Sequence, residues 1–319
     1  MTQTALSIRD LRKSYPTGVF HQRRREVLRG LTLNVHQGEI FGYLGPNGSG
    51  KTTTLKVLMR LVFPDFGECS ILGCALSDDA WRYRVGYLPE HPYFYDYLTA
   101  GEYLEYVGRL FSLPATLRES RSRELLETVG LARTADLSLR RFSKGMVQRL
   151  GIAQALINDP EMVFLDEPMS GLDPIGRRLV RNLIRDLRKR GKTVFFSTHI
   201  LSDAETLCDR VALIWSGELV AVGRLDEILK IDVEHLEVLV TQLAADAVET
   251  LPAAVTLREP VGERWRLHVE EAALGSVIAS IEHAGGRILS VQPIRQSLED
   301  LFVQETASIP RGGTWSFED

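Results

Sequence analysis

Short runs of apolar residues alternate with longer stretches of helical period up to about residue 229. "EIFGYLG" (39–45), "MVFLDE" (162–167), "TVFFST" (193–198) and "RVALIW" (210–215) read as strands. Several are apolar on both faces, as buried parallel strands are. Helical patterns over 51–61, 144–157 and 175–190 lie between them. The alternation predicts an α/β domain over residues 1–230, built on a largely parallel sheet. Between about 75 and 158 helical patterns dominate, and "TAGE" (Thr99 to Glu102) has capping-box spacing ahead of "YLEYVGRLF". That stretch is expected to be a helical subdomain inserted into the α/β core.

After Lys230 the pattern changes. "EHLEVLV" reads as a strand and "AADAVETL" as a helix, and "AVTLRE" and "RWRLHVE" flank "PVGE" as a hairpin. "EAALGSVIASIEHAGG" is a helix and "RILSVQPI" a final strand. The order βαββαβ predicts a small α+β domain of ferredoxin-like type over 231–305. The tail from 306 to 319 carries Pro310, Gly312 and Gly313 and is expected to be mobile.

Composition narrows the class. With 44% apolar and 25% charged residues the chain is of ordinary globular make-up. A net charge of −4 argues against nucleic acid as the main partner. Cys69, Cys74 and Cys208 form no C-x-x-C pair, which favours a reducing compartment without a zinc site. The N-terminus has neither an apolar core nor a cleavage motif, so no signal peptide is expected. Apolar runs such as "VALIW" fall far short of the ~20 residues of a membrane span.

The first chemical motif follows the first core strand. "GPNGSGKTT" comprises Gly45, Pro46, Asn47, Gly48, Ser49, Gly50, Lys51, Thr52 and Thr53, and matches G-x-x-x-x-G-K-[ST] where a strand passes into a helix. Glycines let successive N–H groups turn inward around a phosphate, and the helix N-terminus adds its dipole. Lys51 is placed to reach the β- and γ-phosphates, and the Thr52 hydroxyl to ligate Mg²⁺. "MVFLDEP" ends a buried strand in two carboxylates: Asp166 suits Mg²⁺, and Glu167 suits the attacking water. His199 closes "TVFFSTH" at the same sheet edge and is a candidate for contact with the γ-phosphate.

"GPNGSGKTTT", then "FSKGMVQRLGIAQALINDPEMVFLDEPMSGLDP", then "STH" together resemble the nucleotide-binding subunit of ABC transporters over about residues 5–229. The resemblance implies a P-loop NTPase fold of ABC type, ATP hydrolysis, and ATP with Mg²⁺ as ligands. It places Tyr15 as the aromatic that stacks on adenine and Asp173, in "SGLDP", as the residue that communicates between two sites. "FSKGM" stands where the family has its L-S-G-G-Q signature. Ser143, Lys144, Gly145 and Met146 would therefore face the nucleotide held by a second subunit packed head to tail. Lys144 and Met146 depart from the commoner glycine and glutamine. Glu90, in "YLPEH", replaces the glutamine that senses Mg²⁺ and water; it can accept a hydrogen bond but not donate one. Both departures resemble the branch that serves ABC-2 type exporters, as does "SLEDLF" at 297–302.

The implied partners are a separate ABC-2 type membrane permease and a second copy of this chain or a homologous ATPase subunit. The implied place is the cytoplasmic face of the cell membrane, held there through the permease. In the family the stretch after Glu90, "HPYFYDY" (91–97), leads to the surface that receives the permease. The basic run "HQRRRE" (21–26) reads as a solvated hairpin tip or a contact for anionic lipid headgroups. The competing functions are a soluble, non-transport ABC ATPase and a regulatory module that binds nucleotide without turnover.

Overall fold

A computed structural model describes residues 3–17, 23–228 and 235–294. The chain divides into two compact units, Met1–Ile228 and Leu229–Asp319.

The first unit begins with β1 (Thr4–Thr17), β2 (Arg23–His36), β3 (Ile40–Leu44), α1 (Lys51–Leu58), β4 (Phe66–Ile71), β5 (Cys74–Ala75) and β6 (Val85–Leu88). It continues through α2 (Ala100–Leu110), α3 (Ala115–Thr128), α4 (Lys144–Ala155), β7 (Met162–Asp166) and α5 (Pro174–Lys189). It ends with β8 (Thr193–Thr198), α6 (Leu201–Leu207), β9 (Arg210–Trp215), β10 (Glu218–Gly223) and α7 (Leu225–Ile228).

Its central sheet has six strands in the order β10-β9-β3-β8-β7-β6, parallel except for β10. Every residue of β3, β7 and β8 is buried, which is why these strands read as continuous apolar runs. Alternate side chains feed two cores. Phe41, Tyr43, Phe164 and Phe195 pack with α1 and with Leu6, Ile8 and Leu31 of a second, antiparallel sheet of order β2-β1-β4-β5. Ile40, Val163, Leu165 and Phe196 pack instead against Leu104, Leu150, Val180 and Ile184 of the helices. Each fully buried aromatic or aliphatic side chain contributes roughly 1.5–3 kcal/mol, and the Phe41 and Phe195 rings stack at 5.7 Å.

Two features differ from the sequence pattern. The span from 75 to 158 is not wholly helical: β6 lies inside it and pairs in parallel with β7 as an edge of the central sheet. With only four residues, β6 is too short to stand out among helical neighbours. The long pair β1 and β2 is also hidden in the sequence, because register shifts interrupt its alternation at several points. Beyond β6, the "TAGE" capping box is present: Thr99 Oγ1 accepts from Glu102 N–H and Glu102 Oε2 from Thr99 N–H.

The second unit contains β11 (His235–Thr241), α8 (Ala245–Glu249), β12 (Val255–Val261), β13 (Arg264–Glu270), α9 (Leu274–His283) and β14 (Arg287–Pro293). The sheet order β12-β13-β11-β14, antiparallel throughout, is the ferredoxin-like arrangement. β12 runs on through Pro260, which an edge strand tolerates, and Gly262 turns the hairpin at φ 63°. "SLEDLF" and the tail from 306 lie outside the described residues. Among the described residues no helix is long and apolar enough to cross a membrane.

Candidate functional site

The phosphate loop leaves the carboxyl end of β3 and turns directly into α1. Gly50 caps that helix at φ 109°, a conformation that disfavours any side chain. A Cβ at Gly45 would collide with the Ile214 carbonyl. The loop is therefore clamped against β9 from below, leaving its backbone open above. Lys51, 6% exposed, folds back onto that loop, its Nζ donating to the carbonyls of Gly45 (2.7 Å) and Pro46 (3.2 Å).

Register brings the other groups alongside. β7 and β8 pair Asp166 with Ser197, and the Ser197 hydroxyl donates to Asp166 Oδ1 at 2.6 Å while accepting the Glu167 N–H at 2.9 Å. Glu167 has φ 49°, so the chain turns sharply there and its side chain swings to the loop. Its Oε1 lies 3.4 Å from Lys51 Nζ and its Oε2 lies 3.0 Å from His199 Nδ1. The carboxylate is thus held between the loop's cation and the histidine. Gln148, buried on α4, donates to the Glu167 carbonyl at 3.3 Å.

Thr52 Oγ1 lies 3.5 Å from Glu90 Oε2, at the limit of a hydrogen bond. Burial pushes the Asp166 carboxyl above the usual carboxylate range; the Ser197 hydrogen bond and the nearby Thr52 hydroxyl oppose this, and the Glu90 and Glu167 charges reinforce it. Asp166 Oδ2 is buried without a hydrogen-bond partner. An unsatisfied, destabilised carboxylate beside a hydroxyl and a second carboxylate is a fitting set of hard oxygen donors for Mg²⁺. Among the described residues no three His, Cys, Asp or Glu side chains form a metal cluster.

Tyr15, Asn47, Gly48, Gly50, Lys51, Thr52, Thr53, Glu90 and Glu167 of the expected residues line one cleft of about 500 Å³ beside the loop. Lys13 Nζ lies 5.4 Å from the centre of the Tyr15 ring. Gly45, Pro46, Ser49, Asp166 and His199 lie outside its lining, as do Ser143, Lys144, Gly145, Met146 and Asp173. Ser143 instead caps α4, accepting from Met146 N–H at 3.3 Å, and Asp173 caps α5, accepting from Gly176 N–H at 2.7 Å. Lys144 lies over Gly171, where a Cβ would meet its Cε at 2.8 Å. Ser197, Gln148, Thr17 and Arg25 are site residues that the motif reading does not single out. A lone serine near the end of an otherwise apolar buried strand is the signal for Ser197; the others depend on pairing across the fold.

Residues 28–170 match the ABC transporter family. An uncharacterized ABC transporter ATP-binding protein of Nostoc sp. is 46% identical, over 95% of this chain and 90% of its own length. The daunorubicin resistance ATP-binding protein DrrA3 of Streptomyces coeruleorubidus is 36% identical, over 96% of this chain and 97% of its own. A solved dimeric ATP-binding cassette in a post-hydrolysis state, bound to ADP and phosphate, superposes with a TM-score of 0.64 at 27% identity, covering 69% of this chain and 98% of that one. A phosphate-loop motif where a strand passes into a helix, and a carboxylate held against its lysine, thus occur in a chain that the two relatives match almost end to end: it belongs to the ATP-binding proteins of ABC transporters, and is an ATPase that uses ATP and Mg²⁺.

Proposed function

We propose that this chain powers an ABC-2 type exporter, working on a separate membrane permease through ATP-driven head-to-tail pairing of two ATPase subunits at the cytoplasmic membrane face. The observation that carries the reading is the Glu167 carboxylate, which contacts both Lys51 and His199. Exporter relatives such as the daunorubicin resistance protein support the branch.

Lys51 occupies its own loop's carbonyls and Glu167, so a triphosphate must draw the ammonium away from Glu167. Glu167 then keeps His199 and is released from Lys51, free to orient and deprotonate water. His199, 43% exposed, holds Glu167 through Nδ1, which leaves its other ring nitrogen for contact with the γ-phosphate. Thr52, Asp166 and Glu90 would hold Mg²⁺, which supplies charge neutralisation on the phosphates. Tyr15 stacks on the adenine.

Ser143, Lys144, Gly145 and Met146 lie at the start of α4, outside the chain's own cleft. A helix N-terminus with free N–H groups and no acid–base group suits a γ-phosphate presented by the other subunit. Gln148 joins this helix to the Glu167 carbonyl, and Asp173 fixes the start of the neighbouring α5. On the subdomain, Tyr93 is 91% and Tyr97 68% exposed while Phe94 is buried. The exposed tyrosines supply the amphipathic surface that a permease contact requires.

Glu167→Gln tests the reading. Turnover is expected to fall by about 10²–10⁴ with ATP binding retained. Size-exclusion chromatography of the variant with its permease should then show pairing only with MgATP, and adding Ser143→Arg should abolish it. A Glu167→Gln protein that stays unpaired at saturating ATP sinks the shared-site arrangement.

A further inference from the structure

The basic run at the β1–β2 hairpin is sorted by the structure into residues with different jobs. Arg24 turns to Asp65 at 3.6 Å. Arg25 has no ion-pair partner among the described residues and lines the nucleotide cleft. It stands directly opposite Tyr15 in the β1–β2 register, so the two side chains leave the same face of the ribbon. Thr17, two residues beyond Tyr15, lines the same cleft. A register shift between Lys13 and Ser14 inserts Val27 as an extra residue, a bulge that turns this end of β2 toward the site.

The distance to the phosphate loop is short. The Val27 carbonyl lies 3.0 Å from the position a Cβ on Gly50 would take. Arg25 is two residues back, about 7 Å along the strand, which brings the loop within reach of its side chain. We infer that Arg25 is a nucleotide-binding residue that clamps the α-phosphate. This rests on the placement of nucleotide in this cleft with its base on Tyr15. Between a base at Tyr15 and β- and γ-phosphates at Lys51 lie only the ribose and the α-phosphate. Of these the α-phosphate alone is anionic, and a guanidinium recognises it by charge-assisted, forked hydrogen bonds. A lipid headgroup is the competing ligand for a basic hairpin, but Arg25, without an ion-pair partner among the described residues, is the arginine of the run that lines the cleft.

The full-length protein titrated with ADP, ATP and adenosine decides this, with adenosine followed by displacement of a fluorescent ADP. Arg25→Ala should weaken ADP and ATP alike, by about five- to tenfold, and leave adenosine unchanged. Arg25→Lys should recover most of the loss, and Arg24→Ala should have no effect. Unchanged ADP affinity in Arg25→Ala overturns the inference, as does a loss confined to ATP or one shared equally by adenosine. A variant that keeps ADP affinity yet no longer sediments with phosphatidylserine vesicles makes Arg25 a lipid contact and also overturns it. Lys51→Ala separates the two levels: if it binds ADP normally, the cleft assignment itself falls, whereas loss there with no change in Arg25→Ala removes only the α-phosphate clamp.

Discussion

The contact between Lys51 and Glu167 predicts that removing the catalytic carboxylate tightens nucleotide binding, before any pairing of subunits. Both groups are nearly buried, 6% and 8% exposed, and 3.4 Å apart. At an effective dielectric constant of about 20 their attraction is about 5 kcal/mol. Desolvation cancels much of that, and Lys51 retains the Gly45 and Pro46 carbonyls. A net cost of about 1–2 kcal/mol for freeing Lys51 is therefore expected, a factor of roughly five to thirty in affinity. Glu167→Gln keeps the shape and drops the charge, so it should bind ADP more tightly by that factor. Its nucleotide-free form should be less stable by a similar amount, with the gap closing as ADP is added. Calorimetry with ADP is the assay, because ADP carries no γ-phosphate. Tightening for ATP but not for ADP would trace to repulsion between Glu167 and the γ-phosphate. Equal or weaker ADP binding would refute a Lys51–Glu167 contact that competes with nucleotide.

Ser197→Ala removes the hydroxyl that joins Asp166 Oδ1 to the Glu167 N–H, leaving buried groups unpartnered. It should cost about 1–3 kcal/mol in denaturant unfolding and lower turnover more than ADP affinity; unchanged turnover would show that this tie does not position the carboxylates. Asp65 accepts from the Ser14 hydroxyl and N–H and from Lys13, and the Ser14 hydroxyl leads in drawing its carboxyl down to about 2. A depressed folded-state value contributes stability above the unfolded value near 4 and loses it as pH falls toward 2. The drop in urea midpoint caused by Asp65→Ala should therefore be plain at pH 6, roughly halved at pH 3 and nearly gone at about pH 2; a penalty independent of pH would exclude the charge as its source.

The phosphate loop was legible because a local backbone requirement writes itself into consecutive residues: glycines where Gly50 must take φ 109°, then a lysine and a threonine opening a helix. The same holds for the buried strands, whose apolar runs announce burial on both faces, and for the Thr99–Glu102 cap, closed within four residues. Glu167, His199 and Asp166 could be named from strand ends. Their mutual contact could not, since it depends on β7 and β8 being neighbours in one register. Ser197 and Gln148 reach the site by hydrogen bonds across 30 and 19 residues of chain, and Arg25 by standing opposite Tyr15 in a bulged ribbon, where no local pattern marks the partner. β1 and β2 stayed hidden because bulges break the period of two that marks a strand, while β6 has four residues and no period to display. What the sequence determined alone was chemistry whose geometry closes within a turn or along a strand. The tertiary structure decided which distant side chains share a face, because only pairing and packing, summed over the whole core, set that register.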